Sequence, residues 1–250
     1  MKKENIYFAS DFHLGSPNQK TSRQREEKIV AWLDNIKEDA KSIYLIGDIF
    51  DFWFEYRMVI PKGFVRFLGK LSELVDKGIN IHLNVGNHDL WMKDYLEKEC
   101  GIQIHHQPII IKEHNKKIYI SHGDDITKNN IPIRIINRIF RNKICQWLFS
   151  RIHPNTALKI GHAWSRHSRK SGANPPYLGE GKEDQEQFCI NHHVKNTDIH
   201  YYIFGHRHLP LDINIAKNCR YISVGDWINH YSYAILEKGE IRLEYFNKDV

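Results

Sequence analysis

Five short apolar runs in this chain each end in a cluster of Asp, His, Asn and Gly, and that placement constrains the fold more than any other feature. Asp11-Phe12-His13 follows the run at 6–9, Gly47-Asp48 the run at 43–46, and Gly86-Asn87-His88-Asp89 the run at 81–85. His122-Gly123-Asp124 follows 117–121, and Gly205-His206-Arg207-His208 follows 199–203. Short apolar runs bounded by turn residues read as buried strands, while the amphipathic stretches 23–36 and 64–75 between the first three read as helices. Strand, helix, strand, helix, strand at this spacing predicts an α/β fold with βαβ crossovers.

Beyond Gly101 the runs shorten, at 102–105, 108–112 and 117–121, as expected of added or antiparallel strands. The runs at 199–204, 212–216, 219–224, 231–236 and 241–245 again read as strands. Between these two sets, 131–170 has a helical period and interrupts the sheet pattern. Pro154 is expected to separate two helices, Ser171-Gly172 and Pro175-Pro176 to end the second, and 181–195 to form another. The chain therefore divides into a core of 1–125 and 181–250 and a helical insertion at 126–180, both basic and apolar, that reads as a lid.

Cys100, Cys145, Cys189 and Cys219 are far apart with no C-x-x-C pair, which argues against a disulfide scaffold or zinc ribbon. The N-terminal residues lack a signal-peptide apolar core and no run of eighteen apolar residues occurs, so a cytoplasmic protein is expected. Histidine is the compositional outlier, with sixteen residues against three Met. His82, His105, His106, His114, His153, His162, His192, His193, His200 and His230 lie outside the five clusters and read as packed or solvated.

In open α/β sheets the carboxyl ends of the strands converge on one crevice, where ligands bind. Side chains delivered there by five strands would meet in space, and Gly47, Gly86 and Gly205 permit close backbone approach. Carboxylate together with imidazole suits Mn, Fe, Co, Ni or Zn, whereas calcium would take oxygen ligands alone. Asp11, His13, Asp48, Asn87, His122, His206 and His208 are too many for one ion that keeps an open position. If one carboxylate bridges, the same set serves two ions, the usual clamp for in-line displacement at phosphorus.

The motifs D-F-H, G-D, G-N-H-D, H-G-D and G-H-R-H, in this order from Asp11 to His208, resemble those of the calcineurin-like metallophosphoesterases. The resemblance implies their α/β fold, a central β-sandwich flanked by helices, here carrying the helical lid insertion. It further implies one divalent ion on Asp11, His13, Asp48 and His208, and a second on Asp48, Asn87, His122 and His206, with Asp48 as the bridge. Manganese is the expected metal, with Fe, Zn, Co and Ni as alternatives. Asp48 and His88 take the catalytic roles, His88 stabilising the transition state or protonating the leaving oxygen, while Asp89 and Asp124 orient a ligand histidine or its loop.

The insertion separates substrate classes. In 131–152 the residues Ile136, Ile139, Phe140, Ile144, Trp147, Leu148 and Ile152 recur at three- and four-residue steps among Arg134, Arg138, Arg141, Lys143 and Arg151. This is the composition of an interfacial helix or of a lid over an acylated anionic ligand. Residues 126–179 hold ten Lys/Arg and no Asp or Glu, so the remainder of a chain whose net charge is +6 carries −4. That concentration points to an anionic lipid or membrane surface in preference to nucleic acid, for which no aromatic stacking platform is apparent.

Within the family the chain is most similar to the UDP-2,3-diacylglucosamine diphosphatases of lipid A synthesis, which place a helical insertion between the H-G-D and G-H-x-H motifs. That similarity implies cleavage of the pyrophosphate to 2,3-diacylglucosamine 1-phosphate and UMP at the cytoplasmic face of the inner membrane. It implies substrate contacts from Asn87, His88, Asn130, Arg166, Ser168, Arg169 and His206. Those diphosphatases usually have Arg where this chain has His88, which is the general phosphoesterase form. The alternative is a dinuclear-metal phosphodiesterase or nucleotidase acting on a soluble nucleotide or nucleic acid.

Overall fold

Alternate residues of β1 (Asn5–Ala9) enter two different cores, and the layering follows from that alternation. The computed structural model describes residues 3–126, 138–171 and 176–246. After β1 come α1 (Gln19–Ile36), β2 (Ala40–Ile46), α2 (Val65–Asp76), β3 (Asn80–Asn84), α3 (Tyr95–Cys100), β4 (Gln103–His105), β5 (Ile109–Glu113) and β6 (Lys116–Ser121). The inserted helices α4 (Lys143–Phe149) and α5 (Pro154–Ser171) precede α6 (Asp184–His193), β7 (Tyr201–Phe204), β8 (Pro210–Ala216), β9 (Cys219–Val224), β10 (Ser232–Glu237) and β11 (Glu240–Tyr245).

The strands form two sheets, ordered β11-β10-β1-β2-β3-β4 and β5-β6-β7-β9-β8. Strands β1 to β4 are parallel, as are β6, β7 and β9, and the antiparallel strands lie outside them. Ile6, Phe8, Tyr44 and Ile46 meet Ile118, Ile120, Ile203 and Ile222 between the sheets. Tyr7, Ala9, Ile43 and Leu45 face the other way, under Trp32, Leu33, Phe67 and Leu71 of α1 and α2. On the far side Tyr119, Tyr202 and Phe204 pack on Cys189 and Phe188 of α6. Strands buried on both faces explain the unbroken apolar runs of the sequence, and the expected sandwich flanked by helices is what forms.

Helix α1 begins earlier than its amphipathic period suggests. Asn18 is extended and accepts the Thr21 N–H at 3.0 Å, so the cap sets the start. Helix α3 has no counterpart in the hydrophobic pattern; it is a six-residue helix closed by Gly101 at φ 68°.

The insertion docks on the segments that follow Asp48 and Asp89. Phe149 meets Phe54 at 5.0 Å and Trp91 at 4.7 Å between ring centroids, and the Trp91 indole N–H donates to Phe140 O at 2.6 Å. Ala157, Gly161 and Ser165 form the buried stripe of α5. Gly161 is required there, because any Cβ would run into the Phe52 ring. At about 100° per residue, two other stripes of α5 flank this one: Lys159, His162 and Arg166 on one side, Ile160 and Trp164 on the other. Ile144, Trp147 and Leu148 of α4 are at least half exposed, at 68%, 55% and 55%. Among the described residues no helix is long and apolar enough to cross a membrane.

Candidate metal centre

The loop after β1 shows how the sheet delivers its chemistry. Phe12 is fully buried against Trp227, at 5.3 Å between rings, and against Trp32 at 6.4 Å. With Phe12 anchored in the outer core, its neighbours Asp11 and His13 are turned the other way, into the space at the strands' carboxyl ends. Trp227 thus serves packing. Arg25, itself buried, donates from one nitrogen to the carbonyls of Phe12, His13 and Ser16 at 2.9–3.1 Å and holds the loop in place.

Asp11, His13, Asp48, His206 and His208 all have positive φ, between 44° and 66°. Each such non-glycine conformation costs of order 1–3 kcal/mol and persists only where the surroundings over-determine it. Here Asp11 N–H donates to Gly47 O at 3.1 Å, His13 N–H to Asp48 O at 2.9 Å, and His206 N–H to Asp11 Oδ2 at 2.9 Å. Full burial of Phe12, worth roughly 1.5–3 kcal/mol, offsets the strain of about one such residue, and the hydrogen bonds hold the others. Five of the ten described non-glycine residues with positive φ are ones that sequence reasoning selected for metal chemistry.

All seven of those side chains come together. The ligating atoms of Asp11, His13, Asp48 and His208 lie within 4.8 Å of one another, and so do those of Asp48, His122 and His206. Asn87 Oδ1 lies 3.3 Å from His122 Nε2, which completes the second group. Asp48 belongs to both. Its Oδ2 is 3.8 Å from His13 Nε2 on one side and 3.4 Å from His122 Nε2 on the other. A Cβ on Gly86 would collide with the Asp48 carboxylate, so this approach needs glycine there.

Two of the histidines, His122 and His208, are aimed by the nitrogen that does not face the centre. His122 Nδ1–H donates to Ile46 O at 2.8 Å, and His208 Nδ1 sits 3.4 Å from Asp226 Oδ2, which leaves both Nε2 atoms inward. Buried Asp226 also takes the N–H groups of Asn229 and His230 at 3.0 Å. Asp89 accepts from Gly86 N at 2.7 Å and Ile49 N at 2.8 Å, tying the two ligand loops together as expected. Asp124 instead pairs with Arg141 of the insertion at 3.0 Å.

Electrostatically the cluster is built for cations. Burial alone would raise Asp11 and Asp48, yet His208 holds Asp11, and His122 holds Asp48, below the usual carboxylate range. Burial pushes His13 down to about 4 despite Asp11 and Asp48. Burial lowers His208 too, but Asp11 and Asp226 outweigh it and carry it up to about 10. Asp89 is pushed up to about 6 by burial and by Asp48.

Two buried carboxylates ringed by imidazoles fit divalent ions of the borderline class. Donors 3.0–3.8 Å apart, such as His208 Nε2 to Asp11 Oδ1 and His13 Nε2 to Asp48 Oδ2, have the separation expected around an ion that binds each donor at about 2.0–2.2 Å. Asp11 Oδ1 is buried and accepts no hydrogen bond among the described residues, so it is available to a cation. The fold and this His/Asp cluster fit a dinuclear divalent site.

Beside the centre, Gly15, Pro17, Asn18, Asp51, Lys159, His162 and Arg166 line a cavity of about 290 Å³. His162, one of the histidines expected to be merely packed, stands 3.5 Å from Asp51 Oδ2. Lys159, His162, Ser165 and Arg25 carry no motif, whereas Asp226, in Gly225-Asp226-Trp227, follows the run at 219–224 as the other site residues follow theirs. Arg166 is brought to the cavity as its sequence position suggests. Asn130 and the side chains of Ser168 and Arg169 lie outside the described residues.

Comparison with known proteins agrees with this geometry. Residues 4–210 match the calcineurin-like phosphoesterase family. The chain is 37% identical to a UDP-2,3-diacylglucosamine hydrolase of Porphyromonas gingivalis, covering 97% of both chains. It is 26% identical to proteins of the same name from Haemophilus influenzae, with 94% of each covered, and from Aeromonas hydrophila, with 95% of this chain and 96% of that one covered.

Proposed function

The chain belongs to the calcineurin-like phosphoesterases, and from that premise we propose that it hydrolyses the pyrophosphate of UDP-2,3-diacylglucosamine, giving 2,3-diacylglucosamine 1-phosphate and UMP in lipid A synthesis. What most supports the reading is the placement of α5, which stands beside the buried cluster with a polar side and an apolar side. Lys159, His162 and Arg166 offer cationic and hydrogen-bonding groups to phosphate and nucleotide. Ile160 and Trp164, joined by the exposed face of α4, offer apolar surface to acyl chains. A lipid-linked nucleotide needs both. The relatives named above, similar over nearly their whole length, add to this support.

In this reading 126–180 is a lid inserted into a core of 1–125 and 181–250. Asp11, His13, Asp48 and His208 would hold one divalent ion and Asp48, Asn87, His122 and His206 the other, manganese being the expected metal. When bound, such ions neutralise phosphoryl oxygens and acidify a water for attack at phosphorus. The protein's own groups do the rest. Asp48 keeps the two halves of the centre in register. Asn87, His88, Arg166 and His206 contact the substrate, as do Asn130, Ser168 and Arg169. His88 points Nε2 to within 4.0 Å of Asp48 Oδ2, where a proton on that atom reaches the leaving oxygen. Trp147, with Arg151 4.7 Å over its ring, and the neighbouring Ile144 and Leu148 rest on an anionic membrane surface at the cytoplasmic face.

Release of UMP with manganese tests the reading. The expected result is a kcat/KM at least about 10-fold higher for the diacylated nucleotide sugar than for its deacylated analogue, which two buried methylenes at ~0.8 kcal/mol each already supply. Equal turnover of the two would remove the lipid assignment and favour a phosphodiesterase or nucleotidase of soluble nucleotides.

A further inference from the structure

Ser165 is 2% exposed and sits on the docked stripe of α5, yet it contacts two groups of the core. Its hydroxyl donates to Asp51 Oδ1 at 2.7 Å, and its oxygen lies 3.0 Å from His88 Nδ1. A hydroxyl has one proton, and an ionised carboxylate only accepts. With the Ser165 proton committed to Asp51, the bond to His88 must use a proton on Nδ1. That same Nδ1–H is 2.9 Å from the backbone carbonyl of Asp51. His88 therefore carries hydrogen on Nδ1, shared between Ser165 Oγ and Asp51 O, and presents Nε2 to the centre.

We infer that Ser165 is a positioning residue: the insertion helix, once docked, fixes the ring plane of His88 and holds one hydrogen on Nδ1, so that the second proton of the imidazolium, the one it gives to the leaving oxygen, sits on Nε2. Asp51 alone offers one acceptor, about which the imidazole is free to swing. Ser165 adds a second from a different direction and pins the Asp51 carboxylate, whose other oxygen is near His162 at 3.5 Å. Gly161, one turn earlier, sets the depth of docking through its contact with Phe52, so Ser165 reaches His88 only when α5 is seated. Seating of the insertion and alignment of His88 are thus one event, whichever phosphoester is cut.

The inference rests on the role given to His88 above, and the experiment separates the two. On a soluble diester with a poor leaving group, Ser165→Ala is expected to lower kcat about 10-fold, the lower end for loss of an orienting partner, with KM within about 2-fold. Ser165→Thr, which keeps the hydroxyl, is expected to restore most of the loss. In the full-length zinc-loaded enzyme, the His88 Nδ1–H proton, assigned by its absence in His88→Ala, should exchange slowly in the wild type and broaden into solvent exchange in Ser165→Ala. A kcat for Ser165→Ala within 2-fold of wild type, or an unchanged Nδ1–H signal, overturns the inference. Should His88→Ala itself leave kcat unchanged, the role of His88 fails instead.

Discussion

Asp48→Asn is expected to reduce kcat by about 10³-fold or more while the protein stays folded. Loss of one neutral donor to a developing charge already costs an enzyme about 10²–10³-fold. Asp48 carries a full charge and faces both halves of the cluster. The amide keeps the shape and one oxygen, so the bond from His88 N–H to Oδ1 at 2.9 Å survives. What disappears is the negative charge that would serve both ions of the proposed centre and that faces His13, His88 and His122. The measurement is kcat on a chromogenic diester with saturating manganese, together with a melting curve. A variant that melts like the wild type and retains more than a tenth of its rate would show that Asp48 does not bridge.

His88→Ala is the second large effect expected, a fall in kcat of roughly 10²–10⁴-fold, the range for a positioned proton donor. Its pattern distinguishes it from Asp48→Asn. A p-nitrophenolate departs without a proton, so the loss should shrink on a p-nitrophenyl ester and be full on an alkyl or pyrophosphate leaving group. KM should hardly move, because Nε2 acts on charge that develops at the leaving oxygen. An equal loss on both kinds of leaving group would reassign His88 to transition-state charge alone.

Much of this centre is legible in the amino-acid order alone, for a reason visible in β1. Runs buried on both faces are unbroken by polar residues, so the first polar residue after each run marks a strand end, and parallel strands put those ends on one side. Asp11, Asp48, Asn87, His122 and His206 follow from that alternation of run and cluster. What cannot be read is set by contacts between distant parts of the chain. Asp226 is legible as a strand-end residue after the run at 219–224, but its pairing with His208 depends on the place of β9 beside β7, which no local pattern reveals. Arg25 looks like any exposed helix arginine until the loop from Phe12 to Ser16 folds over it. His162 and Ser165 depend on which face of α5 docks, and that is decided by the missing side chain of Gly161. Helix α3 is too short to show a period, and its Gly101 cap is a weak signal alone.

The same logic accounts for the charge. Among the described residues, Lys143 of α4 and Lys159 and Arg166 of α5 belong to helices docked beside a centre rich in carboxylate and imidazole. Arg141 is committed to Asp124, and Lys159 and Arg166 to the cavity wall, while Lys143 and Arg151 stand beside exposed Ile144 and Trp147. Cations next to apolar side chains suit an anionic amphiphile better than a nucleic acid, whose bases would need a stacking surface.

The most direct test is anomalous diffraction at the manganese edge from crystals of the full-length protein grown with manganese. Two peaks about 3.5–4 Å apart are predicted, both within bonding distance of the Asp48 carboxylate, one beside His13 and His208 and the other beside His122 and His206. A single peak, or a second one not shared by Asp48, would contradict the dinuclear account.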